Sequence, residues 1–199
     1  MPETPPAARR LVLASTSPYR AELLRRLGLP FETARPSFDE TPLPGETPEA
    51  SALRLAIGKA RSVAAQFPGA LVIGSDQVAF GAGRRLDKPG GHDAAVRQLE
   101  ALSGQCAEFH TAVALIDAPK DGVQARVVGC KVHFRSLDRA RIEAYLCREQ
   151  PYDCAGSAKA EGLGIALIAR IETDDPTSLI GLPLIALTEM LERAGMPVV

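Results

Sequence analysis

The segment Ser15-Thr-Ser-Pro-Tyr-Arg20 gathers hydroxyl donors, a serine ahead of proline and an arginine into six residues. If a strand ends before it and a helix opens at Pro18, the turn presents backbone N–H groups and a positive dipole end to a phosphate. Ser15 and Arg20 would then add side-chain donors. A plainer reading is that Ser17 only caps the helix and Arg20 is solvated on its first turn, and both can hold at once. A second set is acidic. Asp39 and Glu40 fall in a proline-rich stretch and Asp76 follows an apolar run, places where oxygen ligands for magnesium or manganese commonly sit and where acids are also often simply solvated. Lys59 and Lys88 are two of only five lysines in the chain.

Other chemistries are disfavoured by the spacing. Gly81-Ala-Gly83 lacks the third glycine of a dinucleotide fingerprint, Gly162-Leu-Gly164 runs into a strand-like segment, and no P-loop pattern occurs. Ser157 stands in Ala-Gly-Ser-Ala rather than in a nucleophile elbow, which argues against an esterase. Cys106, Cys130, Cys147 and Cys154 form no C-x-x-C pair, and His92, His110 and His133 are as scattered, so neither zinc nor a disulfide framework is indicated. Lys and Arg number 23 against 24 Asp and Glu, without the basic excess of a general nucleic-acid binder. The first ten residues, with three prolines, do not resemble a signal peptide and read as a disordered segment. No apolar run approaches the roughly 18 residues of a membrane span. A cytoplasmic protein with reduced thiols, and no membrane partner, is the expectation.

The elements that must position these residues follow from periodicity. Leu11 to Ala14 reads as a strand, and Leu23, Leu24 and Leu27 with Gly28 place a helix at 18 to 27. A short strand is predicted around Phe31 to Arg35, then a loop from Pro36 to Thr47. Thr47-Pro48-Glu49 opens a helix whose apolar face runs to about Gln66 and which carries Lys59. Ala70 to Gly74 reads as a buried strand with Asp76 at its carboxyl end, and Gly81 to Gly83 as a hairpin turn before Leu86 to Lys88. A helix at 92 to 102 comes next. Cys106 to Asp117 and Val123 to Phe134 should pair across Pro119 to Gly122 as a long antiparallel hairpin. A helix at 138 to 148, a strand at Ile165 to Ile171 and a helix from Pro183 to Ala194 complete the chain. With 46% hydrophobic and 24% charged residues, a single α/β domain over 11–199, built on a mixed twisted sheet with flanking helices, is expected.

Taken together, these pieces resemble the Maf family of nucleoside triphosphate pyrophosphatases. The matching segments are Leu13-Ala-Ser15-Thr-Ser-Pro-Tyr-Arg20 with Glu22-Leu-Leu24 and Gly28; Asp39-Glu40-Thr-Pro42; Arg54-Leu-Ala56 with Lys59-Ala60; Gly74-Ser-Asp76; Lys88-Pro89; Leu102-Ser-Gly104; Ala155-Gly156; and Gly181-Leu-Pro-Leu184. They occur in order from about Leu11 to Leu191. The resemblance implies two lobes around a cleft, in a fold like that of the inosine triphosphate pyrophosphatases. It also implies hydrolysis of a nucleoside triphosphate to monophosphate and pyrophosphate with a divalent cation, magnesium or manganese. On that footing Asp76 is the general base, Glu40 and Asp76 are metal-site carboxylates, and Ser15, Arg20, Lys59 and Lys88 bind the triphosphate.

Three positions depart from the commonest Maf pattern. Tyr19 stands for an arginine, Gln77 for a threonine, and Glu161 for a glutamine. These changes resemble the 7-methyl-GTP branch, which removes a modified nucleotide as a house-cleaning task, rather than the dTTP/UTP branch. N7-methylation makes guanine a cation, which an aromatic face such as Tyr19 attracts. A carboxylate such as Glu161 can accept both N–H groups on the Watson–Crick edge of guanine, whereas a glutamine suits uracil or thymine better. Gln77 would shape the same pocket. The alternatives are a dTTP/UTP pyrophosphatase, and a nucleotide-binding regulator of septum formation and cell division with little turnover. A homodimer is left open.

Overall fold

A computed structural model describes residues 9–118 and 122–199 of the chain. Residues 1–8 of the segment expected to be disordered lie outside it, as do residues 119–121 of the expected hairpin turn. Arg9 forms an ion pair with Asp117, and Arg10 bonds both carboxylate oxygens of Glu32 at 2.9 and 3.0 Å.

Among the described residues seven strands form one sheet: β1 (Leu11–Ala14), β2 (Glu32–Ala34), β3 (Leu71–Gly81), β4 (Arg84–Leu86), β5 (Cys106–Asp117), β6 (Gly122–Phe134) and β7 (Ile168–Thr173). Their order is β2-β1-β3-β5-β6-β7, with β4 folded back on β3. β1 pairs parallel with both β2 and β3, and every other pairing is antiparallel. The expected mixed sheet is therefore present. Its helices are α1 (Pro18–Arg25), α2 (Pro48–Ala64), α3 (His92–Leu102), α4 (Arg139–Glu149) and α5 (Leu184–Arg193).

β1 is buried along its whole length, as a parallel strand covered on both faces must be. Strand alternation assigns its side chains. Leu11 and Leu13, with Leu71 and Ile73 of β3, pack against Leu23 and Leu24 of α1 and Leu187 and Leu191 of α5. Val12 and Ala14, with Val72, pack against Ala60 and Val63 of α2. The other half of the sheet has its own core, in which Ala79, Phe109 and Val132 meet Val96 and Leu99 of α3 and Ile142 and Leu146 of α4. The long strands β3, β5 and β6 run through both halves.

Two expectations are corrected. Asp76 is not at a strand end, because β3 continues to Gly81 and pairs with β5 all the way, Asp76 opposite Ala112. What ends there is the parallel pairing: β1 matches β3 only through Leu13 and Ile73, so the edge of β3 is open from Gly74 until β4 pairs with it at Ala79. The strand expected at Ile165 begins at Ile168, and Leu163–Leu167 is a 3₁₀ turn. β6 ends at Phe134, opposite Ile168, so the residues before Ile168 have no ladder partner on it. The β3–β4 hairpin turns through Ala82 and Gly83 at φ +50° and +75°, the two left-handed residues that a tight hairpin requires.

Candidate active site

The nine positions to which the family resemblance gives a role, Ser15, Tyr19, Arg20, Glu40, Lys59, Asp76, Gln77, Lys88 and Glu161, all line one cleft of about 630 Å³. It opens where β1 stops and β3 goes on.

The alternation along β3 decides which way each residue points. Val72 and Gly74 face α2, and Asp76, two further on, faces it as well. Gly74 has no side chain because none fits: a Cβ there would lie 2.1 Å from the Ala56 carbonyl oxygen of α2. This close approach brings Lys59, one turn further along α2, to Asp76. Lys59 Nζ donates to Asp76 Oδ1 at 2.6 Å, with both residues only 7% exposed. The same ammonium lies 2.7 Å from Glu40 Oε2, on the loop between β2 and α2. Two carboxylates thus converge on one cationic point. Removing Lys59 would leave the buried Asp76 carboxylate without its cationic donor, whereas Lys59 without Asp76 would keep Glu40.

That loop is held down at several points. Arg54 of α2 reaches back to Glu46 at 2.7 and 2.9 Å and to the Thr41 carbonyl at 3.3 Å. The Arg54 guanidinium pulls the Glu46 carboxyl down to about 2. Phe38 lies over α2 where Gly58 leaves room, since a Cβ at position 58 would come 2.3 Å from the ring. Asp39, considered with Glu40 as a metal ligand, instead closes a turn by accepting from Thr41 N and Oγ1 at 2.9 and 2.6 Å. It does not line the cleft.

Ser15 and Arg20 stand at the strand–turn–helix junction. Ser17 caps α1 by accepting from Arg20 N, and Ser15 Oγ accepts from Ser17 N at 3.1 Å. Arg20 Nε donates to the Gly181 carbonyl at 2.8 Å, which aims the guanidinium across the cleft floor rather than into solvent. Burial lowers the Arg20 pKa, while the charges of Asp76 and Glu40 push it back up, so the guanidinium belongs to the same charge cluster. Lys88 is exposed on the cleft rim.

Ser75 and Gln77 alternate with Asp76 and face the opposite side of the sheet. Ser75 Oγ lies 2.8 Å from the carbonyls of both Ala112 and Gly181. Gln77 Nε2 donates to Thr111 Oγ1, Ser178 O and Leu179 O at 2.9, 3.0 and 3.1 Å. With two carbonyls around it the nitrogen assignment is fixed by chemistry. Gln77 thereby ties the 3₁₀ turn Pro176–Ile180 to the sheet as well as lining the cleft.

The remaining wall is the segment after α4. Tyr19 O–H donates to Asp153 Oδ2 at 3.0 Å, and Lys159 Nζ stands 5.2 Å from the Tyr19 ring centroid. Lys159 pairs with Glu149 at 3.5 Å, and not with Glu161. Glu161 is exposed on the cleft; its charge, after burial and the effects of Asp153, helps to raise the Cys154 thiol to about 12. Sequence reasoning did not single out Arg85, Asp153 or Lys159, all of which line the cleft. Nothing local marks any of the three.

Among the described residues no three His, Cys, Asp or Glu side chains gather as a metal cluster, and no helix is long and apolar enough to cross a membrane. The Maf-like protein family matches residues 10–194 of the chain. A protein named 7-methyl-GTP pyrophosphatase from Polaromonas sp. is 58% identical over 191 residues, 96% of this chain and 87% of its own length. One of the same name from Nitrosospira multiformis is 53% identical over 197 residues, 99% of this chain and 100% of its own. Among solved structures, a HAM1 protein from Coxiella burnetii aligns with 63% of this chain and 73% of its own at a TM-score of 0.43 and 21% identity.

Proposed function

The chain belongs to the Maf-like protein family, and from that premise we propose that it is a nucleoside triphosphate pyrophosphatase converting 7-methyl-GTP to 7-methyl-GMP and pyrophosphate. The observation that carries this reading is the division of the cleft. Arg20, Lys59, Asp76 and Glu40 form one charge cluster, while Tyr19, Asp153 and Glu161 form an aromatic and acidic wall. A triphosphate of about four negative charges suits the first, since a cation about 4 Å from one of them gains roughly 4 kcal/mol at an effective dielectric of 20, before desolvation. A cationic, donor-bearing base suits the second.

In the reaction water oxygen bonds to the α-phosphorus, the bond to the α–β bridging oxygen breaks, and pyrophosphate leaves. Asp76 acts as general base. Its Oδ1 is engaged by Lys59, which leaves Oδ2 to take the water proton. Ser15, Arg20 and Lys88 bind phosphate oxygens, and Lys59 holds Asp76 and Glu40 in register until the substrate arrives. The convergence of Asp76 and Glu40 on one cationic point fits a divalent cation, magnesium or manganese, which these two carboxylates would hold. Such an ion, when bound, supplies charge neutralisation at the phosphates. A nucleotide house-cleaning role accords with a cytoplasmic enzyme acting on a small-molecule substrate.

The test is pyrophosphate release from 7-methyl-GTP, GTP, dTTP, UTP, CTP and ITP with magnesium or manganese. Preference for 7-methyl-GTP is expected, and preference for UTP and dTTP would assign the chain to the other branch. Absence of release from every nucleotide would favour a binding regulator.

A further inference from the structure

Tyr19 already carries a cation. Lys159 Nζ lies 5.2 Å from the ring centroid, inside the range over which an ammonium is attracted to an aromatic face. Burial first, then the neighbouring Cys154 and Asp153, raises the Tyr19 pKa, so the hydroxyl stays a donor to Asp153 and the ring stays neutral at working pH. The same Lys159 ammonium is at once 3.5 Å from Glu149 Oε1, so it keeps an anionic partner whether or not it covers the ring. Its own backbone is pinned, because Lys159 N donates to Tyr145 Oη at 3.0 Å. Glu149 is fixed too, its other oxygen accepting from Leu163 N at 2.8 Å. Only the flexible stem of Lys159 needs to move for the ammonium to leave the ring and keep an anionic partner.

We propose that Tyr19, Asp153 and Lys159 form a charge-selective seat for the nucleobase, in which Lys159 holds the ring until a positively charged base displaces it toward Glu149, and Asp153 is a specificity-determining carboxylate. The inference rests on the reading of Tyr19 as the platform for the base. Asp153 places a negative charge one hydrogen bond from the phenol oxygen, so a cationic base on the ring gains an attraction that a neutral base of the same shape does not. Lys159 works against entry. A neutral guanine attracts the ring less than an ammonium does and is the poorer competitor for the face, whereas a 7-methylguanine cation replaces one cation by another. Once displaced, the ammonium still repels the cationic base, so the wild-type preference is a balance between Asp153 and Lys159.

Titration calorimetry with 7-methyl-GMP and GMP, on the full chain and its variants, tests the seat separately from turnover. Asp153→Asn keeps an acceptor for the Tyr19 hydroxyl and removes only the charge. It is expected to lower the ratio of 7-methyl-GMP to GMP affinity by about two- to fivefold, the range of an exposed cation–π contact, with a smaller effect on GMP. Lys159→Met is expected to tighten 7-methyl-GMP binding by a similar factor, about two- to fivefold. An unchanged ratio in Asp153→Asn, or equal weakening of both ligands, would overturn the inference by reducing Asp153 to a loop anchor. Weaker or unchanged 7-methyl-GMP binding in Lys159→Met would overturn the displacement. Turnover is read in parallel. A wild-type protein that prefers 7-methyl-GTP, with an unaltered ratio in Asp153→Asn, keeps the proposed function and loses the seat. One that prefers UTP, while Asp153→Asn still selectively weakens 7-methyl-GMP, loses the function and keeps the seat.

Discussion

The two walls of the cleft are built differently. Asp76 and Lys59 sit inside regular elements, β3 and α2, pressed together at Gly74 so that neither charge can drift from the other. Tyr19's partners sit on turns after α4, tied to the antiparallel half by hydrogen bonds such as Ser157 Oγ to Gln98 Oε1 at 2.5 Å and Lys159 N to Tyr145 Oη. The first arrangement positions reacting groups within tenths of an ångström, and the second can shift to suit a base without disturbing them. Substitutions in the first wall should therefore reduce turnover, and those in the second should change affinity and choice of base.

The strongest way to break this contrast is Asp76→Asn, which retains shape but cannot take a proton. A fall in kcat of about 10² to 10⁴ is expected, measured by pyrophosphate release, because that is the range a positioned general base contributes. A fall in affinity alone would move the base elsewhere. Gly74→Ala comes next. Its methyl would meet backbone atoms of α2, the Ala56 carbonyl at 2.1 Å and Ala60 N at 2.8 Å, so the helix must retreat and take Lys59 with it. Overpacking of this kind costs about 1–3 kcal/mol, seen as an earlier denaturant midpoint together with lost turnover.

Ser157→Ala probes the other wall. It leaves the Gln98 carbonyl oxygen without its buried partner, a loss of about 1–3 kcal/mol, and frees the turn that leads to Lys159 and Glu161. KM should rise more than kcat falls, and comparable losses in both would mean that the two walls are not mechanically separate. The smallest effect is expected at the loop clasp. Glu46 has its carboxyl lowered from 4.5 to about 2 by Arg54, so the clasp stabilises the folded loop above the ordinary carboxyl value and is lost as pH falls from about 4.5 to about 2. Hydrogen-exchange protection factors of residues 36–47, taken relative to the intrinsic rate at each pH, should stay constant from neutral pH to about 4.5 in the wild type. In Glu46→Gln they should already be lower at neutral pH.

Much of this is legible in the amino-acid sequence. The spacing of Leu23, Leu24 and Leu27, the caps Ser17 and Thr47 each followed by proline, and the apolar stretch of β3 place the first two helices and the start of β3 to within a few residues, because local propensity and burial agree there. The end of β3 was misplaced because Ser75, Asp76 and Gln77 are polar, and polarity in a sequence does not distinguish a strand's end from a strand that lines a cleft. The strand at Ile168 was begun too early for the complementary reason: Ile165 and Leu167 are apolar enough for a strand, but β6 ends opposite Ile168.

The sequence by itself determined which residue types were available and on what local elements they stand: a capped helix start behind a buried strand, an acid two positions after a glycine on β3, a lysine on a long helix. Tertiary structure decided their partnerships. The parity of β3 sends Asp76 to α2 and Gln77 to the opposite face, where it holds the turn Pro176–Ile180 from 101 and 102 residues away. Tyr19 meets Asp153 across 134 residues. Such contacts depend on how far one element advances past another, and no local pattern in the chain encodes that distance.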